Sequence, residues 1–182
     1  MSLHATAMAK SLAPEGTIVP TEKDVSGGKD LQISATYTDK GGAGIKSLTG
    51  GNIAVIKSPV LLPQNTTKLD GAEIASFGDQ TFLSVNSNNA TIEFGNTDIK
   101  GISSMEVTYA SQSPLVGGYI IEAFEGSVKI GEVTVSGNKP MMPSKALMKL
   151  NGVTGGKAVV FKIRKVNPSE GTAVYISGFR LL

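Results

Sequence analysis

The sequence predicts an all-β fold, a β-sandwich jelly roll with an N-terminal extension, and three observations lead there. From Leu31 onward, apolar and polar residues alternate with period two in segment after segment. The segments are short, closely spaced and bounded by Gly, Pro or Asn, as in sandwiches and jelly rolls. Glycine reaches 22 copies in 182 residues while charged residues hold only 18%, below the roughly 25% of an ordinary soluble domain.

In chain order, residues 1–30 read as a leader or linker arm. Pro14, Pro20 and the break Ser26-Gly-Gly-Lys-Asp30 punctuate it, and Ala5–Leu12 is its one candidate for a short helix. Residues 31–58 form connector strands. Leu31, Ile33, Ala35 and Tyr37 alternate with Gln32, Ser34, Thr36 and Thr38 up to the Gly-rich turn at 39–44, and a second strand is expected over 53–57. Residues 59–182 are the jelly-roll domain, with strands expected over 60–64, 72–76, 81–85, 91–94, 103–110, 118–124, 129–136, 146–150, 158–164 and 173–181. Alternation is clearest where Met105, Val107 and Tyr109 oppose Ser104, Glu106 and Thr108, and where Val159, Phe161 and Ile163 oppose Lys162 and Arg164. Tyr109, Ile121, Val133, Phe161 and Phe179 are expected in the core. Glu125-Gly-Ser127 joins two strand patterns as a tight hairpin.

Composition narrows the function. With no cysteine and a single histidine, His4, the chain has no thiolate site, no histidine-based triad and no zinc cage of its own. No catalytic metal or organic cofactor is expected. Lys+Arg 17 against Asp+Glu 15 gives +2, and the basic residues are scattered, so no footprint for nucleic acid is present. No apolar run reaches the roughly 18 residues of a membrane span. The glycine pairs fit neither phosphate-loop pattern and read as turns. The carboxylates fall mostly on polar strand faces or in turns, which argues for solvation over a paired acid and nucleophile. The polar loops are the better candidates. Asn86, Asn88, Asn89, Asn138, Lys139, Asn167 and Glu170 supply amides, a lysine and a carboxylate that hydrogen-bond sugar hydroxyls if one end of a jelly roll gathers them.

From Pro59 to Leu182 the sequence resembles a family 6 carbohydrate-binding module, of the galactose-binding-like jelly-roll type. The stretches carrying the resemblance are Thr91–Ile102 leading into Ser104–Ala110, then Gly117–Glu122, Ile130–Val133, Asn151–Phe161 and Phe179–Leu181, in the family's order. The preceding segment, Ala35–Ile45 with Leu48-Thr-Gly50, is similar to a connector found before such modules at the C-terminus of large exported bacterial proteins with sugar-dehydrogenase and cytochrome domains. The resemblance therefore implies non-catalytic glycan binding, polysaccharide or cell-wall glycan as partner, upstream catalytic domains in a modular parent, and a secreted, periplasmic or cell-surface location. Residues 1–10 have neither a basic nor an apolar signal region, so the signal peptide of an exported parent is expected upstream.

Measured against the family, the main glycan site departs: Ser84 falls at its tyrosine, Met141 or a neighbour at its tryptophan, and Tyr175 at its asparagine. Tyr175 is the one ring near that site, expected as an inward-facing core residue. Calcium is the only metal the resemblance leaves open, with Gln64 in place of a family glutamate as a candidate ligand and Ser177 in place of an aspartate. The missing rings make a module that kept the fold but serves as a structural or protein-interaction sandwich the alternative reading.

Overall fold

The structure is a computed structural model describing residues 30–95, 97–169 and 171–182. The candidate helix Ala5–Leu12 and the side chain of Glu170 lie outside the described residues. An antiparallel hairpin comes first: β1 (Leu31–Thr38) pairs with β2 (Thr49–Ile56), from Gln32 opposite Val55 to Thr38 opposite Thr49. The sandwich follows, from β3 (Val60–Leu61), β4 (Lys68–Asp70), β5 (Glu73–Phe77), β6 (Gln80–Val85) and β7 (Asn89–Phe94) to β8 (Ser104–Ala110), β9 (Tyr119–Glu125) and β10 (Val128–Val135). It ends with β11 (Ser144–Lys149), β12 (Val159–Lys165) and β13 (Val174–Leu181). One antiparallel sheet has the order β10-β9-β12-β7-β4, and the other runs β11-β8-β13-β6-β5 with β3 also on β13. Among the described residues no helix is long and apolar enough to cross a membrane.

Strict alternation builds the core. In β8 Met105, Val107 and Tyr109 are buried, and in β12 Val159, Phe161 and Ile163. The two sheets meet at three rings: Phe161 of β12 stacks on Phe179 of β13 at 3.9 Å, and Phe94 stands edge-on to both at 5.9 Å. Ile121 is likewise buried, whereas Val133 is only half-buried because β10 is the edge strand of its sheet.

Several elements differ from the sequence expectation. The strand expected over 60–64 stops at Leu61, since Pro63 has no N–H to donate and opens a 3-10 turn over Pro63–Asn65. Strand β4 was not expected, being three residues long and too short to show a period. Strand β2 starts at Thr49 rather than 53, because pairing with β1 draws Gly50 and Gly51 into the ladder. Tyr175 points outward instead of into the core: Val174 and Ile176 on either side take the buried positions, and its half-exposed ring stands edge-on to Phe82 at 6.5 Å.

The parity of β9 also carries an acid inward. Tyr119, Ile121 and Ala123 face the core, so Glu125 does too, and it is only 2% exposed. Its Oε2 accepts hydrogen bonds from the Thr154 N–H at 2.8 Å and the Thr154 hydroxyl at 3.1 Å. The Thr154 N–H is the main reason its carboxyl sits below the ordinary glutamate range; burial opposes it, and the Thr154 hydroxyl, the Gly155 N–H and the nearby Lys157 assist.

Candidate functional site at the loop end

The strand registers bring four loops to one end of the sandwich. Val174 lies opposite Val85, Tyr175 opposite Ala110, and Tyr119 opposite both Lys165 and Val135. The connections after β6, β8, β10 and β12, at 86–88, 111–118, 136–143 and 166–173, therefore cluster. Backbone bonds tie them: Gly137 N to Leu115 O at 3.1 Å, Met141 N to Ser111 O at 2.8 Å, Val166 N to Gly118 O and Lys165 N to Asn88 O, both at 3.0 Å. From below, the buried Tyr119 hydroxyl donates toward Thr172 O at 2.8 Å and Val85 O at 3.2 Å, anchoring two of the loops to the core.

These contacts sort the candidate residues. Asn138 is 5% exposed and its amide is committed within the cluster: Nδ2 donates to Ser111 Oγ at 2.7 Å and to Lys139 O at 3.3 Å, while Oδ1 accepts from Leu115 N at 3.4 Å. Asn167 is exposed, and its Oδ1 caps the Ser169 N–H at 3.0 Å. Asn88 and Lys139 are exposed on their loops, and Asn89 is exposed at the first ladder position of β7 opposite Arg164. Gln64 is exposed on the 3-10 turn between β3 and β4, and Ser177 Oγ donates to Thr108 O at 3.3 Å. Among the described residues no three acidic or histidine side chains gather in a metal-binding group.

Asn86 and Tyr175 do meet. They line a pocket of about 280 Å³ with Gln112, Ser113, Thr172 and the backbone of Gly171. Its walls are mainly amide, hydroxyl and peptide groups, with the Tyr175 ring as the one aromatic surface. In the 136–143 loop Met141 holds a left-handed backbone conformation, φ 58°, and exposes its side chain beside the exposed Met142. The sequence reading missed Gln112, Ser113 and Thr172. The signal was the polar, Pro- and Gly-containing stretch 111–118 between two strongly alternating strands, which reads as an ordinary connection until pairing folds it against 171–175.

Scans of the sequence against protein-family models and curated proteins find no match. Solved structures do match. A family 6 carbohydrate-binding module of Clostridium stercorarium, in complex with cellobiose, is 15% identical with a TM-score of 0.55, over 67% of this chain and 91% of that one. One from Clostridium cellulolyticum, in complex with xylose, is 18% identical with a TM-score of 0.56, over 68% and 95%. A β-1,3-glucan-binding one from Bacillus halodurans is 16% identical with a TM-score of 0.55, over 67% and 93%. At such identities the likeness is one of fold alone, and it covers two thirds of the chain: the sandwich shares the β-sandwich jelly-roll fold of these modules.

Proposed function

We propose that the chain is a non-catalytic carbohydrate-binding module, with residues 59–182 as the binding unit and the loop-end pocket as the place where a neutral sugar unit docks. The observation carrying this reading is the pocket's lining: Asn86, Gln112, Ser113 and Thr172 offer donors and acceptors around one half-exposed ring, Tyr175. At about 280 Å³ it falls just below the roughly 300–1,000 Å³ typical of small-molecule sites, which suits one sugar ring better than a long chain segment. The complexes of structural neighbours with cellobiose and xylose support the ligand class. In this reading Asn88, Asn89, Lys139 and Asn167 are outer contacts for neighbouring sugar units, and the module holds an exported parent protein, with catalytic domains upstream, at polysaccharide or cell-wall glycan.

Binding is weak, with Kd on the order of millimolar, because each sugar hydroxyl exchanges water for protein at a net gain of only about 0.5–1.5 kcal/mol. Affinity gels cast with soluble glucans, xylans and mannans test it. Retardation by at least one glycan, lost in Gln112→Ala and Tyr175→Ala with unchanged melting temperature, is the expected result. No retardation by any of them, or retardation indifferent to both changes, refutes the placement.

A further inference from the structure

We propose that the outer edge of β1 is a docking edge for a second copy of this chain, the two copies pairing β1 to β1 antiparallel about a two-fold axis at Ser34. Among the described residues the hairpin is a two-stranded sheet with no third strand, and such a ribbon alone is marginally stable in water. Both its ends are fastened. At the base Asp30 Oδ1 accepts from the Ser58 N–H at 3.0 Å, and at the turn Asp39 Oδ1 accepts from the Gly41 and Leu48 N–H groups, both at 2.9 Å. Its long edges are open.

The register shows which backbone groups face out. The Asp39 N–H donates to Leu48 O at 3.0 Å, so these two residues are a hydrogen-bonded pair, and alternation makes Tyr37 with Gly50, Ala35 with Asn52 and Ile33 with Ala54 bonded pairs too. Gln32, Ser34 and Thr36 therefore turn their N–H and C=O groups away from β2, where no partner meets them among the described residues. On the outer edge of β2 the Ile53 N–H already donates to Asn52 Oδ1 at 2.9 Å, and Gly50 and Gly51 weaken that strand at its start. This leaves β1 as the edge free to pair.

Neither β1 nor β2 contains a charged residue or a proline, the usual guards against pairing with another chain. The strands that end the two sandwich sheets all carry charge: Lys68 and Asp70 on β4, Glu73 on β5, Lys129 and Glu132 beside a bulge on β10, Lys145 and Lys149 on β11. An uncharged strand has nothing to select a charged partner, and it meets its own copy without a like-charge contact. About Ser34, Gln32 falls opposite Thr36 of the second copy in a bonded pair. Ile33 falls opposite Ala35 of the second copy in the closer, non-bonded spacing, on the face that also holds the exposed Tyr37 and Ile56. The paired edge over 31–37 is about 23 Å long and gives a smaller interface than the roughly 800 Å² per partner of a standard stable complex. The dimer is therefore reversible, with Kd on the order of tens of micromolar.

Sedimentation velocity of the full chain from about 5 to 500 µM, spanning that Kd, tests the association, and the expected result is a monomer–dimer equilibrium with no larger species. The edge is tested by Ser34→Cys, a clean probe because the chain has no cysteine of its own. Two such residues on the axis lie about 5.5 Å apart between Cα atoms, within disulfide range, so mild oxidation cross-links the dimer, while Ser47→Cys in the turn cross-links far more slowly. The register is tested by charge. Gln32→Lys with Thr36→Lys sets like charges opposite each other and weakens the dimer by at least about tenfold, whereas Gln32→Lys with Thr36→Glu sets opposite charges there and restores it. A chain monomeric throughout, a dimer in which Ser34→Cys links no faster than Ser47→Cys, or a dimer indifferent to the lysine pair would each overturn the proposal. So would a slowly exchanging Ser34 amide in a monomer, which would assign the edge to residues 1–29.

Discussion

The Asn138 amide makes three hydrogen bonds inside the loop cluster, two through its NH₂ group and one through its oxygen. Truncation to alanine leaves the buried Ser111 hydroxyl and the Leu115 N–H short of partners, which costs about 1–3 kcal/mol. Chemical denaturation of Asn138→Ala checks this, with the exposed Asn88→Ala as a comparison expected within about 0.5 kcal/mol of the parent. Glu125 makes a prediction in pH. Its folded carboxyl titrates below the unfolded one, chiefly because the Thr154 N–H bonds the charged form. The stability it contributes is therefore complete above the ordinary glutamate range, near 4.3, and is lost as pH falls through the lower folded value. Melting temperature followed from pH 7 to pH 2.5 falls at the acid end in the parent. In Glu125→Gln that fall is shallower, and an identical acid limb in both proteins would remove Glu125 from the account.

At the scale of elements, β12 and β13 matter most because they sit at the centres of the two sheets and touch through Phe161 and Phe179. Phe161→Ala opens a cavity among three packed rings and costs about 3–5 kcal/mol, measurable by denaturant titration. A loss below about 1 kcal/mol would mean that the sheets close over the gap. Gly118 controls the entry into β9. Its φ of +77° is strained for any L-residue, and a Cβ would run into the Val135 carbonyl oxygen and the Ser136 side chain. Gly118→Ala is accordingly destabilising and loosens the loop cluster next to the pocket, which reduces glycan retardation as well as melting temperature.

For the whole molecule, the division between hairpin and sandwich is the main fact. Every residue of β2 is exposed, and Tyr37, Ile53, Val55 and Ile56 keep half or more of their surface in solvent. Among the described residues the sandwich core draws only on those from Leu61 onward. A chain starting at Pro59 is expected to give a β-dominated circular dichroism spectrum and a melting temperature within about 2 °C of the full chain, since a shift of several degrees in a domain of this size corresponds to about 1 kcal/mol or more. A larger drop would show that the hairpin braces the sandwich.

What the residues determined alone was local. Period-two alternation placed Met105, Val107, Tyr109, Phe161 and Ile163 inside, and glycine and proline marked the turns, because side-chain direction in a strand and φ in a turn depend on near neighbours. The same alternation of Val174 and Ile176 with Tyr175 and Ser177 already contained the outward direction of Tyr175. The site was a different matter. That 111–118 meets 171–175 and that Asn138 is consumed in holding loops together both follow from pairing between strands far apart in the chain. Register and crossover are set by the closing of two sheets over one core. A single strand's pattern fixes which of its faces is buried, and only the packed sandwich decides which side chains share a pocket.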